Sequence, residues 1–279
     1  MRPTPAVRPQ PRPRTRPVRP AGWWFDLLLL VAFVALTLAL AVGHRYGLDR
    51  AVADWAGAHR PPAGYWIARV LNTLGQGGQV LMPVVGIVGG LLVLRTRSVR
   101  PALVFAGAFV LLYLVVGPLK LWTDRAAPSA TEKAPHLPAE DAVQLFHTPG
   151  RYGMSYPSGH LANAIVWYGV IALLLAALLR SHGRRVPANL IRAIRVLPPA
   201  ILLVTTTYLG WHWLTDSVAG LLLGLLLDRL LGRVPWDDVP LPAVLRRWDR
   251  PALYAAGPAV SPPRYPPASP GPPEGPRPA

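Results

Sequence analysis

The 279-residue chain contains no cysteine. That excludes a disulfide framework, Cys-ligated zinc or iron–sulfur centres, and thiol catalysis. Charge is also scarce: Asp, Glu, Lys and Arg make up 15% of the residues and hydrophobic types 52%. A soluble domain carries about a quarter charged residues, so the composition argues against an ordinary soluble enzyme. Lysine is nearly absent. Lys120 and Lys133 are the two lysines among 29 basic residues, so a lysine kept in this Arg-biased chain invites a chemical explanation. What the chain does have is a net charge of +16 and an isoelectric point near 11.3. Such a balance is the footprint of a nucleic-acid binder only if the charge gathers on one face.

It does not gather that way. Residues 1–20 hold seven Pro and six Arg. They have too little apolar content to offset ordering entropy, and are expected to be a disordered tail. Residues 235–279, with fourteen Pro, read as a second disordered tail. Residues 21–234 form the membrane body. Six apolar runs lie at 23–43, 80–94, 101–118, 161–179, 196–211 and 217–231. A membrane span needs about 20 apolar residues, and the last run is short, with Asp228 and Arg229 near its end. The fold class is all-α: an integral membrane six-helix bundle. Segment 45–78 has helical periodicity, with Leu48, Val52 and Trp55 on one face and Trp66, Val70 and Leu74 on another. It predicts helices lying at the interface. A short helix is expected within 138–146.

Arginines alternate along the connections. The N-terminal tail, the 95–100 turn, the 180–195 turn and the end of the last run carry basic clusters, whereas 45–78 has mixed charge, 121–157 is a long polar loop and 212–216 is very short. Short cytoplasmic segments are enriched in Lys and Arg. Both termini are therefore expected in the cytoplasm of a multi-pass cell-membrane protein, with the lipid bilayer as a partner and no nucleic acid.

Chemistry-bearing residues collect at the other ends of these runs. Lys120 closes the third run, Tyr156-Pro157-Ser158-Gly159-His160 opens the fourth, and His212-Trp213-Leu214-Thr215-Asp216 joins the fifth to the sixth. Ionisable residues at membrane depth are costly and point to function. In the second string Ser158 can cap a helix and Gly159 lets a ligand approach the backbone. The free N–H groups of that end favour a phosphate, with His160 beside it. The same string is also an ordinary N-cap with an incidental histidine. His212 and Asp216 are four apart and share a helical face, so a carboxylate can fix the imidazole tautomer of a nucleophile. They are also readable as an interfacial pair in an aromatic belt. Acids of the 121–157 loop read as a solvated face without a clustered metal site.

Together the strings KLWTDRAAP (120–128), PSGH (157–160) and TTTYLGWHWLTD (205–216) resemble the type 2 phosphatidic acid phosphatase family. These integral membrane lipid phosphatases are related to vanadium haloperoxidases, and their motifs run KxxxxxxRP, PSGH and SRxxxxxHxxxD. The likeness covers roughly residues 45–232. It implies a phosphatase without metal or cofactor that cleaves a lipid phosphate or diphosphate, phosphatidate-like or prenyl, at the extracytoplasmic face. His212 would be the nucleophile, Asp216 its orienting partner and His160 the general acid. Lys120, Ser158 and Gly159 would hold the phosphate. Alternatives are a phosphotransferase using the same histidine and a non-catalytic lipid-phosphate binder.

The chain departs from the pattern at Ala127, Thr205 and Thr206, where the family has arginine, serine and arginine. Arg125 is read as the replacement cation. Its loss as a phosphate contact is expected to slow turnover about tenfold to a hundredfold. Arg151 is a further candidate, and Thr206 either donates its hydroxyl to the site or bonds its own helix backbone.

Overall fold

The fold is a computed structural model that describes residues 20–133, 138–146 and 153–254. Helix α1 spans Trp23–Ala41, α2 Tyr46–Ala58 and α3 Pro62–Leu71; a 3-10 turn at Asn72–Gly75 and a π turn at Gly77–Leu81 lead into α4, Met82–Thr96. Then follow α5 (Arg100–Thr123), α6 (Ala130–Lys133), α7 (Ala139–Ala142), α8 (Gly159–Ser181), α9 (Ala188–Tyr208) and α10 (Leu214–Arg233). No strand occurs among the described residues.

Five helices are long and apolar enough to cross a membrane: Trp23–Ala41, Gly77–Thr96, Arg100–Thr123, Gly159–Ser181 and Ala188–Tyr208. The sixth expected run lies in α10. That helix has a similar length of 20 residues but carries Asp216, Asp228, Arg229 and Arg233 near its ends. Helix α8 is the hub. It packs on α10, α9, α4 and α5 and is 72% buried over its apolar window, against 22–33% for the other four. The outer helices turn Leu27, Leu28, Ile87, Leu94, Tyr113 and Leu114 outward, an apolar coat suited to lipid rather than water. At α10, Gly220 permits the closest packing: a Cβ there would lie 2.9 Å from Ser158 Cβ.

Helices α2 and α3 keep the expected apolar faces, and those faces point outward. Leu48, Trp55, Trp66 and Val70 are exposed, while Asp49, Ala56 and Ala68 are buried. This inverted pattern fits helices at a membrane interface. In 138–146 the helix is shorter than expected, covering only Ala139–Ala142. Ala142 and Val143 pack there against Ala126 and Trp213.

The basic ends of the helices are tied together. Arg229 Nε bonds Asp26 Oδ1 at 2.5 Å, Arg233 pairs with the same carboxylate, and Arg195 meets Asp228 at 2.5 Å. The expected tail boundary at 235 needs correction, because residues 235–254 fold back onto this end. Arg100 donates to Trp236 O at 2.9 Å and Val239 O at 2.5 Å and pairs with Asp249. Asp237 accepts the N–H groups of Ala252, Leu253 and Tyr254, and Leu253 is fully buried. The Pro-rich composition concealed these anchors, whose partners lie far away in the chain. The rest of the two expected tails, 1–19 and 255–279, lies outside the described residues.

Candidate active site

At the opposite end, the C-terminus of α5 and the N-termini of α8 and α10 converge with the turn that closes α9. They surround a cavity of about 630 Å³. Lys120, Gly159, His160, Trp211 and His212 line one side of it, and the segment Gly75–Gln79 lines another. Lys120 reaches the carbonyl of Met154. It passes over Gly159, where a Cβ would come within 3.1 Å of Lys120 Cε. Lys120 is the one cationic side chain lining the cavity among the described residues. Neutral amides of Gln76, Gln79 and Asn163 share the walls.

The two histidines meet edge to face. His160 Nδ1 lies 3.3 Å from His212 Nε2. His212 is buried, and its Nδ1 lies 3.2 Å from Ser155 Oγ, also at the cavity wall, and 3.6 Å from Asp216 Oδ2. Ser155 donates to Asp216 Oδ2 at 2.5 Å. The serine therefore stands beside the imidazole–carboxylate pair as an additional bridge. Trp213 N–H also donates to Asp216 Oδ2, at 2.9 Å, which closes the first turn of α10 around the carboxylate. Burial holds His212 below the ordinary imidazole value, with Lys120 adding to the effect and Asp216 opposing it.

Behind this pair lies a second layer. Asp124 ends α5 in the left-handed region, with φ 40°, and the chain turns inward. Arg125 then runs beneath the site, fully buried. Its Nη1 donates to Asp216 Oδ1 at 2.5 Å and Thr215 Oγ1 at 2.8 Å, its Nη2 to Asp49 Oδ2 at 2.6 Å, and its Nε to Val143 O at 2.8 Å. The rings of Trp213 and Tyr46 lie 5.5 and 5.9 Å from its Cζ. Asp49 in turn accepts from Thr215 N–H at 2.9 Å and Thr215 Oγ1 at 2.5 Å. Burial works against the Arg125 charge, but the Asp216 and Asp49 carboxylates outweigh it and raise its basicity. Burial lifts Asp49 above the usual carboxylate range, and Arg125 and Thr215 offset only part of that.

The expected residues thus separate. Lys120, Gly159, His160 and His212 line the cavity, with Asp216 directly behind His212. Arg125 does not line it: every nitrogen of its guanidinium is committed to protein oxygens, so its expected phosphate contact is corrected. Ser158 is corrected likewise. It is fully buried, its Oγ accepts Leu161 N–H at 3.4 Å, and its own N–H donates to Asp216 O at 2.9 Å. Ala127 lines the cavity without polarity. Thr206 bonds its helix backbone at Leu202 O, 2.7 Å away. Arg151 lies outside the described residues. No group of three or more His, Asp or Glu side chains that could hold a metal occurs among the described residues.

Sequence reasoning missed Asp49, Ser155, Thr215 and the Gly75–Gln79 segment. A faint signal exists for Asp49: it shares a helical face with Ala53 and Ala56, a small-residue stripe about 100° around the helix from the bulky apolar one.

Comparison with known proteins agrees with this arrangement. Phosphatidylglycerophosphatase B of Bacillus subtilis (strain 168) is 27% identical over 201 residues, which cover 71% of this chain and 89% of that protein. The crystal structure of a transmembrane PAP2 type phosphatidylglycerolphosphate phosphatase from Bacillus subtilis shares the fold. It superposes with a TM-score of 0.58 at 24% identity, over 74% of this chain and 93% of that one. Residues 101–239, which include Lys120, His160, His212 and Asp216, match the family model of the PAP2 superfamily. Over that segment this multi-pass membrane chain resembles the PAP2 superfamily.

Proposed function

We propose that the chain is a lipid phosphatase that cleaves a phosphate monoester of a membrane lipid, of the phosphatidylglycerophosphate or phosphatidate kind, through a phosphohistidine at His212. The observation that carries this reading is the pair of histidines at the cavity wall. His212 presents Nε2 toward His160, while its Nδ1 is backed by Ser155 and Asp216. In this mechanism Nε2 attacks phosphorus, the P–O ester bond breaks, and His160 gives its proton to the leaving oxygen. His160 then takes a proton from water, whose oxygen attacks phosphorus. The P–N bond breaks, and inorganic phosphate leaves with both imidazoles restored. Asp216 stabilises the positive charge that His212 gains. Lys120 and the free N–H groups opening α8 neutralise the charge spread over the phosphoryl oxygens. One lining cation and several neutral amides suit a monoester better than a diphosphate, which brings more negative charge. The gathering of arginines at the other end of the bundle supports an active site on the extracytoplasmic face.

Purified protein in detergent is expected to release phosphate from phosphatidylglycerophosphate and phosphatidate faster than from a prenyl diphosphate. Release should survive EDTA. No release from any of the three lipids overturns the reading, and an absolute requirement for added divalent ion overturns its metal-independent chemistry. Release into an added alcohol instead of water would make the enzyme a phosphotransferase.

The pH profile is a further check. Attack needs neutral His212, and burial places its titration below the ordinary imidazole value. The acid limb of kcat/KM is therefore expected below about pH 6.5. A limb above that value contradicts the assigned nucleophile.

Orientation is testable because the chain lacks cysteine. Pro135→Cys is expected to react with an impermeant thiol reagent in intact cells and Arg185→Cys is not. The reverse pattern would put the site on the inner face.

A further inference from the structure

Asp49 lies outside residues 101–239, the segment that matches the family, on α2, which packs on α9 and α10. It is nonetheless fully buried against the catalytic layer. We infer that Asp49 is a positioning residue of the reaction, acting on His212 through Arg125 and Asp216. The inference rests on the phosphohistidine reading above.

The geometry divides the labour between oxygens. Arg125 takes Asp216 Oδ1 at 2.5 Å, which leaves Oδ2 to Ser155, Trp213 N–H and the His212 side. The guanidinium can hold Asp216 so only while its own orientation is fixed, and Asp49 fixes it from the far side at 2.6 Å. Asp49 also accepts both the N–H and the hydroxyl of Thr215. Thr215 precedes Asp216, so Asp49 sets the position of the helix turn that carries the carboxylate.

Charge gives the second half of the argument. Asp49, Arg125 and Asp216 sum to one negative charge beneath His212. The other charged or titratable groups around the imidazole are Lys120 from α5 and His160 from α8. With Asp49 neutralised, Arg125 and Asp216 cancel. The imidazolium form of His212 then loses support, and the nucleophile becomes less basic.

The test uses full-length protein in detergent. Asp49→Asn is expected to lower kcat by about tenfold to a hundredfold, the scale of a small misplacement of catalytic groups, with less change in KM. Its acid limb is expected to move to lower pH, because a negative charge near His212 is gone. Asp49→Asn/Arg125→Gln removes the buried positive charge as well and restores a net single negative charge from Asp216. In this variant the acid limb is expected to return toward the wild-type position. Its kcat should stay low, because Asp216 Oδ1 has lost the guanidinium. Asp49→Glu covers the case in which Asp49→Asn fails to fold: it keeps the charge but displaces the carboxylate, so kcat should fall while the acid limb stays in place, and wild-type kcat in this variant would count against the positioning role.

Should Asp49→Asn melt earlier yet keep the wild-type acid limb and the wild-type kcat per folded molecule, Asp49 is only an anchor for α10 and the inference falls. It falls equally if the double variant has wild-type kcat. The His212 imidazole titration, followed by nitrogen NMR in the same proteins, reads the electrostatic coupling without turnover. If wild-type protein has no phosphatase activity while that titration still shifts in Asp49→Asn, the functional reading fails and the coupling stands.

Discussion

Arg125→Ala is expected to unfold the active-site end of the bundle before any substrate is added. The guanidinium is fully buried and bonded to Asp49, Asp216, Thr215 and Val143. Truncating it leaves two buried carboxylates without their cation and opens a void between Trp213 and Tyr46. Breaking a buried ion pair by removing one partner costs about 3–5 kcal/mol, because the remaining charge is uncompensated. Here two such charges remain, so the upper part of that range applies. Each kcal/mol lowers the melting point by about 2–4 °C for a chain of this size. A fall of about 10 °C or more is therefore expected in detergent without ligand, with activity lost alongside it. A variant that melts like wild type and is merely slow would restore the role that sequence spacing assigned to Arg125, a phosphate contact worth about tenfold to a hundredfold in rate. Arg125→Lys is expected to fall between, since one ammonium cannot reach both carboxylates with the geometry of a planar fork.

The two expectations for Arg125 show where the sequence was legible and where it was not. Apolar runs marked the helices because a bilayer demands length and apolarity, both visible in one dimension. His160, His212 and Asp216 were legible because their partners are close in sequence or sit in a complete motif. Arg125 sits two residues before a missing arginine, and spacing alone made it a substitute. What spacing could not show is the direction of the chain. Asp124 adopts a left-handed conformation after α5, and Ser155 N–H then bonds Arg125 O at 2.9 Å. That turn sends the side chain under Trp213 and away from the cavity. Ser158 was misjudged for a related reason: a helix cap spends its hydroxyl on its own helix. The same limit hid the fold of 235–254, where Arg100 meets Trp236 from 136 positions away.

The absent arginines are also intelligible in these terms. At 127 the chain keeps a cavity wall but gives it no charge. At 206 it keeps a hydroxyl, turned to Leu202 O and near Ser217 Oγ at 3.3 Å. Lys120 remains beside the histidines, which gives one of the two lysines a chemical place. On the proposed function, a lining of one cation and several neutral amides is expected to bear on substrate preference more than on the covalent step.

That covalent step gives the largest expected effect. His212→Ala removes the atom to which phosphorus would be transferred. The loss in kcat is expected to be on the order of 10⁴-fold or more, the scale seen when one member of a catalytic constellation is removed. His160→Ala should behave differently, because on the proposed mechanism it acts once on the leaving oxygen and once on water. Without a general acid, a lipid alkoxide is a poor leaving group, and losing proton transfer costs about 10²–10⁴-fold. An aryl phosphate leaves without needing that proton, so the first step should be largely recovered with such a substrate. The second step should remain slow, because no base draws the proton from water. His160→Ala is therefore expected to accumulate a phosphoenzyme from a labelled aryl phosphate, with the label lost in acid and kept in alkali as for a phosphoramidate. The double variant His160→Ala/His212→Ala should retain no label. Label retained by the double variant would move the phosphoryl group to another residue. Equal losses on lipid and aryl substrates, with no trapped label, would mean that His160 supports His212 across their 3.3 Å contact and is not the proton donor.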